Sequence, residues 1–342
     1  MINLFSDTQS KPTAAMRRAM AEAEVGDEQR GQDPTVNRLC EMSAELLGKE
    51  AAVFLPSGTM CNEIAILVHC RPGDEVLCDK TSHIIHAEGG GPAALAGVVM
   101  TPLEGTNGIF TAEQTIAATR ERNRYAPRTR LVELEQTANL AGGTIWPLAT
   151  ISEVAAAAHE RNLLVHMDGA RLLNAVVASN VSAADFADPC DTVWLDLSKG
   201  LGCPVGAVMA GSAEFIEACW YWKQRIGGAM RQAGIIAAAG VYALEHHVER
   251  LAEDHANAKL MAERLAELPG IAVDLDSVQT NMAYFDIAES GHEPMQFQET
   301  LAERGLQVSR MGPSRFRAVM HLDVSRSDVE TAAATIAEVL VA

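Results

Sequence analysis

The chain is short of positive charge. Lysine and arginine number 27 against 45 aspartates and glutamates, a formal net charge of −18. Nucleic acids and anionic membrane surfaces need a basic patch in a protein partner, so neither is expected to bind here. Anionic small molecules remain open, because they need only a few local cations. Cysteine is present without pattern: the 7 residues at 40, 61, 70, 78, 190, 203 and 219 form no CxxC pair and no zinc-like spacing. Their odd number and scatter suit a reducing cytoplasm. No apolar run reaches the ~18 residues that a membrane span requires. The opening MINLFSDTQSKP has no basic region followed by an apolar one, so it does not read as a secretory signal. A metal site is not expected either. His246, His247 and His255 lie on a helical stretch without a convincing ligand set, and two of them are adjacent rather than on one face. There is no internal repeat, low-complexity tract or long linker.

What is present is 342 residues, 48% of them hydrophobic, enough for one large domain and a smaller one. Pro12 to Glu24 holds a short helix, and Asp33-Pro34 opens a clear one, with aspartate as cap, proline at the first helical position and Gly48 at the end. Strand-like runs then recur at 52–55, 75–78, 97–100, 130–134, 163–167, 192–197 and 206–209, with helical stretches between most of them. That alternation predicts an α/β fold whose seven-stranded, mainly parallel sheet is covered on both faces. A long helix over 244–268 follows. Strands are expected at 271–275, 281–287 and 317–324, and helices at 294–304 and 327–340, making a small α+β end. The expected divisions are an arm and helix at 1–44, a large domain at 45–245 and a small domain at 246–342.

Two stretches carry chemistry. In VWLDLSKGLGCPVG an apolar run stops at Ser198-Lys199-Gly200, beside Gly202, Pro204 and Gly206. A desolvated lysine at a strand end can act as a nucleophile and form a Schiff base with an aldehyde. In NLLVHMDGAR a buried strand ends at Asp168, and ligands bind at the carboxyl ends of strands in such sheets. Pyridoxal phosphate needs such a pair, a lysine for its aldehyde and an acid against its ring nitrogen. A third stretch, Pro56-Ser57-Gly58-Thr59, lies between a strand and a helix, where backbone N–H groups can hold a phosphate.

The order of SGT, DGAR and SKG resembles that of the pyridoxal-phosphate enzymes of fold type I. The match is closest to the low-specificity L-threonine aldolases of the β-eliminating lyase group. It runs almost end to end, through SDT, GQDPTVNRL, GKEAAVFLPSGTM, HMDGARLLNAV, LSKGLGCPVG, MRQAGIIAAAGVYAL, TNM and HLDVS. The resemblance implies that Lys199 carries the cofactor, Asp168 pairs with its ring nitrogen, and Gly58 and Thr59 hold its phosphate. It implies that His83 stacks on the ring and serves as the base near the substrate hydroxyl. Ser6, Arg171 and Arg317 would bind the substrate carboxylate, with Arg171 also near the cofactor. Lys223 and Arg231 would reach a phosphate, in this or a neighbouring subunit. Family members are typically homotetramers with sites shared between subunits.

The implied reaction is cleavage of a β-hydroxy-α-amino acid to glycine and an aldehyde. Elimination or transamination on the same scaffold is the alternative, since fold does not fix reaction. A non-catalytic pyridoxal-phosphate sensor of amino acids is the third reading. Four positions depart from close relatives: Phe5 and Arg30 replace an arginine and a tyrosine, Ala138 replaces a second histidine, and Ala87 replaces a bulky residue. These changes point to a substrate other than plain threonine. It would carry a larger β-substituent, as phenylserine does, or a second acidic group paired with Arg30.

Overall fold

The computed structural model describes residues 1–341. Seven strands form the larger sheet: β2 (Ala51–Leu55), β3 (Asp74–Asp79), β4 (Val99–Leu103), β5 (Arg128–Glu135), β6 (Leu164–Gly169), β7 (Thr192–Asp196) and β8 (Ala207–Gly211). Their order is β2-β8-β7-β6-β5-β3-β4. Only the pairings of β8 with β2 and β7 are antiparallel. Strands β3, β7 and β8 are buried along their whole length. Both of their faces must therefore be covered, which explains the apolar residues at their centres.

The order matters for the site. The chain leaves β3 for the edge strand β4, then returns to the other side of β3 as β5. Loops after β3 and β5 diverge at that reversal, where an open α/β sheet forms its ligand crevice. The register places Glu135 beside Asp168, and Asp168 beside Trp194, at neighbouring carboxyl ends. Helix α3 (Gly58–His69) follows β2; its cap Ser57 accepts from the Met60 N–H at 3.2 Å. Before it, α1 (Ala14–Ala21) and α2 (Pro34–Leu47) form as expected, with Asp33 capping α2 and Gly48 ending it.

The smaller sheet has the order β1-β10-β11-β9. Its strands are β1 (Ile2–Leu4), β9 (Met282–Asp286), β10 (Leu306–Arg310) and β11 (Arg315–Val319). Leu4, Phe285, Phe297 and Phe316 share its core. Strands β1 and β10 go beyond the sequence reading. The N-terminal arm is thus stitched by parallel pairing to residues 306–308.

Two expectations are corrected. The long helix is two, Gly234–His246 and Leu251–Ala266. At the break His247 Nδ1 bonds the Leu201 carbonyl at 2.7 Å, and Leu251 packs against Gly200, so the turn docks on the loop after Lys199. Residues 271–275 are not a strand. Asp274 instead caps a tight turn over Leu275–Ser277, and only Ala272 bridges to Asp286.

Candidate active site

A cavity of about 420 Å3 opens at the carboxyl ends of the larger sheet. Ser6, Gly58, Thr59 and His83 line it, and so do Asp168, Arg171, Lys199 and Arg317. Arg30, Lys223 and Arg231 do not.

Lys199 stands three residues past β7. Asp196, the last residue of that strand, takes the Ser198 N–H at 2.6 Å and accepts from Lys199 Nζ at 2.5 Å. The ammonium also lies 5.6 Å from the Trp194 ring centre. Asp168 is 1% exposed. Its Oδ1 accepts the Ala170 N–H at 2.9 Å and its Oδ2 accepts from Asn62 Nδ2 at 2.8 Å. Asn62 is fully used: the same Nδ2 reaches Glu88 at 2.7 Å, and its Oδ1 accepts from Trp194 Nε1 at 2.7 Å. Sequence reasoning missed Asn62, because an asparagine in a helix carries no signal of its own.

His83 Nδ1 bonds Glu88 Oε1 at 2.8 Å, and Nε2 has no partner among the described residues. The Glu88 hydrogen bond, working against burial, raises the imidazole pKa. Burial raises that of Glu88 as well, with His83 and Asn62 opposing. Beside them Glu135 is pushed up to about 7, first by burial and then by the charge of Asp168. Donor atoms of His83, Glu88 and Asp168 come within 4.8 Å of one another, as metal ligands would. The His83 and Asn62 hydrogen bonds account for that closeness.

Arg171 is buried and spends its fork on Asp7: Nε to Oδ2 at 2.8 Å and Nη2 to Oδ1 at 2.6 Å. Burial alone would raise the Asp7 pKa, but the Arg171 charge and hydrogen bonds outweigh it and hold the carboxyl well below the usual range. Only Nη1 of Arg171 lacks a partner among the described residues. Arg317, on β11, donates from Nη1 to Asn139 Oδ1 at 2.6 Å, while its buried Nε has no partner. Ser6 caps the short turn after β1 and accepts from Thr8.

Three expected site residues lie outside this chain's cavity. Lys223 is fully buried, with Nζ on Glu28 Oε2 at 2.9 Å and lying 4.1 Å from the Trp220 ring centre. Burial lowers its pKa, with Glu28 opposing. It therefore has no route to a phosphate in this cavity. Arg231 pairs with Asp27 at 3.0 Å on the surface. Asp27 also caps the short turn that ends at Arg30, and the Arg30 side chain is 74% exposed and away from the cavity. In this chain, then, Arg30 offers no partner inside this cavity for a second acidic group on the substrate. Of the other departures only Ala87 lines the cavity. Ala138 is buried behind the wall against Gly108, and Phe5 contributes its backbone carbonyl, which accepts from Ser309.

The donor set fits pyridoxal phosphate. An amine, a carboxylate held in place by two donors, and a helix start all face one space. At that start the N–H groups of Gly58 and Thr59 have no partner among the described residues, and such orphan donors suit an anion. Gly58 itself is required by packing, since a Cβ there would lie 2.2 Å from the Trp194 ring.

Known proteins fit this geometry. Residues 3–288 match the profile described as beta-eliminating lyase. The low specificity L-threonine aldolase of Escherichia coli (strain K12) is 39% identical over 335 residues, covering 98% of each chain. Low-specificity L-threonine aldolase 1 of Arabidopsis thaliana is 40% identical over 334 residues, covering 96% of this chain and 93% of that one. Among solved structures, the Leishmania major threonine aldolase superposes with a TM-score of 0.85 at 18% identity, covering 99% and 100% of the two chains. The Sphingomonas wittichii serine palmitoyltransferase gives 0.76 at 18% identity, covering 99% and 86%. These two likenesses are of fold, and the fold is type I as expected. The identity to the aldolases over nearly the whole chain goes further: the chain belongs to the beta-eliminating lyase family.

Proposed function

We propose that this protein is a pyridoxal-phosphate aldolase that cleaves β-hydroxy-α-amino acids to glycine and an aldehyde. One observation carries the reading: Lys199, Asp168 and the start of α3 share a cavity with Ser6, Arg317 and the open Nη1 of Arg171. Lys199 would carry the cofactor, Asp168 would face its ring nitrogen, and Gly58 and Thr59 would hold its phosphate. When bound, pyridoxal phosphate supplies the electron sink that lets a bond at Cα break. Arg317, Ser6 and Arg171 Nη1 would hold the substrate carboxylate, which fixes which Cα bond faces the ring. The hydrogen bond to Glu88 puts the proton of neutral His83 on Nδ1 and leaves the Nε2 lone pair to take the β-hydroxyl proton.

Ala87, Leu140 and Met311 are apolar members of the cavity lining. This supports a substrate with an apolar β-substituent larger than a methyl group. Among the described residues, no helix is long and apolar enough to cross a membrane. We place the enzyme in the cytoplasm as a homotetramer. Surface Arg231 would reach the neighbouring subunit's phosphate there. The divisions at residues 45 and 246 stand as proposed domain limits, with β1 lending the arm to the small sheet.

The test is product analysis on the purified protein with added cofactor. Glycine and aldehyde support aldol cleavage, whereas ammonia and a keto acid mean elimination. Phenylserine is expected to outrun threonine by about tenfold in kcat/KM, about 1.4 kcal/mol in barrier. Lys199→Ala is expected to lose both turnover and the visible absorbance of the bound cofactor. A variant that keeps both would remove Lys199 from its role.

A further inference from the structure

We propose that Glu135 is a positioning residue that aims the base and the carboxylate clamp together. It is the last residue of β5, at the reversal of sheet order, and it lines the cavity. It is 7% exposed, and no cation among the described residues pairs with it. Instead each oxygen takes one backbone N–H from a different side of the reversal. Oε2 accepts from His83 N at 3.0 Å, in the loop after β3. Oε1 accepts from Asn139 N at 3.1 Å, in the loop after β5 itself.

Each of those residues then holds a group that would face the substrate. The backbone bond to His83 fixes where its ring leaves the chain, and Glu88 fixes the ring's rotation. Asn139 accepts Arg317 Nη1 on its Oδ1 at 2.6 Å, and Tyr284 Oη donates to its carbonyl at 2.6 Å. A continuous chain of hydrogen bonds therefore runs from Arg317 through Asn139 and Glu135 to His83. From there it passes through Glu88 and Asn62 to Asp168. Glu135 is the link that joins its two halves.

A carboxylate suits this post because it is acceptor-only and can meet two donors at once. An amide cannot, since its NH2 end would confront an N–H. This inference rests on the aldol reading for its kinetic assay, and on geometry for the rest.

In Glu135→Gln one arm of the bridge is lost. KM for the amino acid should rise about tenfold, the worth of one well-placed hydrogen bond, and kcat should fall as well because His83 shifts. Asn139→Ala keeps its backbone N–H but removes the acceptor of Arg317 Nη1, leaving the guanidinium only the longer 3.4 Å contacts of Nη2 to the Phe5 carbonyl and Ser309. It should raise KM about tenfold while leaving kcat within about twofold. In the double variant the two KM effects should not add, because both act through Arg317, while the kcat loss from Glu135→Gln persists.

Glycine has no β-hydroxyl, so its dissociation constant, read by calorimetry on the cofactor-loaded protein, reports the clamp alone. It should weaken in both single variants. Glu135→Gln with kcat and KM within about twofold of the parent overturns the proposal. So does Asn139→Ala with unchanged glycine affinity, an arm that stands even if the Glu135 variant does not fold. A parent enzyme that makes no glycine from any β-hydroxy amino acid fails the aldol reading instead, and glycine affinity still tests Glu135.

Discussion

A carboxyl group buried with no donor in reach keeps its proton, and Glu63 is such a group. It is 4% exposed on α3, and neither oxygen has a hydrogen-bond partner. Burial first, and then the charge of Glu88, lift its pKa from 4.5 to about 8. Below 4.5 both folded and unfolded chains hold the proton, and Glu63 adds no pH dependence to stability. Between 4.5 and about 8 only the unfolded chain releases it, so stability falls as pH rises through that window. Glu63→Gln cannot ionise. Its melting temperature relative to the parent should therefore climb between about pH 5.5 and 8.5. Any fixed cost of burying the amide is the same at both pH values and cancels. An equal difference at the two ends would mean that Glu63 ionises normally in the fold. The sequence gives no sign of this behaviour. Glu63 follows Asn62 in an ordinary helical stretch, and only the fold brings Glu88 and Gly91 over it. Lys199 and Asp168 are legible for the opposite reason, because an apolar run that stops abruptly at a charged residue marks a strand end locally.

At the scale of elements, strand ends make the site, and the tightest join is between α3 and β7. The far rim of the Trp194 indole abuts the first turn of α3, with its Nε1 bonded to Asn62. Gly58→Ala would push a methyl group into that ring, so either the helix start or the indole must move. Both border the proposed phosphate site. The variant should bind pyridoxal phosphate at least about tenfold more weakly, or 1.4 kcal/mol, by titration of the cofactor-free protein. Unchanged affinity would remove the helix start from that role. The strands of the larger sheet were legible to within a few residues, because burial on both faces leaves apolar residues at their centres. Elements defined by distant partners were not. Strand β1 has three residues, and its ladder partner lies at 306–308. The break at 247–250 depends on His247 meeting the Leu201 carbonyl. Lys223 is likewise tied by a distant partner, Glu28, and lies outside this chain's cavity.

At the scale of the molecule, one buried ion pair joins the two sheets. Asp7 follows β1 of the smaller sheet, and Arg171 follows β6 of the larger one. Asn281, just before β9, adds a bond to Asp7 Oδ2 at 3.0 Å and another to the Met320 carbonyl at 3.0 Å. All three side chains are almost fully buried, so the arrangement is costly to break by halves. Asp7→Asn keeps the shape but leaves the Arg171 guanidinium charged and without its counter-ion. Removing one partner of a buried pair typically costs about 3–5 kcal/mol. Urea unfolding near neutral pH should show a loss of that order. The pH dependence follows from the depressed carboxyl. Its contribution is complete above the ordinary aspartate value of 3.8 and fades as pH falls through the lower folded value. The gap between parent and variant should therefore narrow in acid. Arg171 would at the same time gain freedom to leave the cavity wall, so KM for the amino acid should rise along with the loss of stability. A variant as stable as the parent at neutral pH would show that the sheets hold together without this pair, through the other bonds between them such as Arg317 and Tyr284 to Asn139.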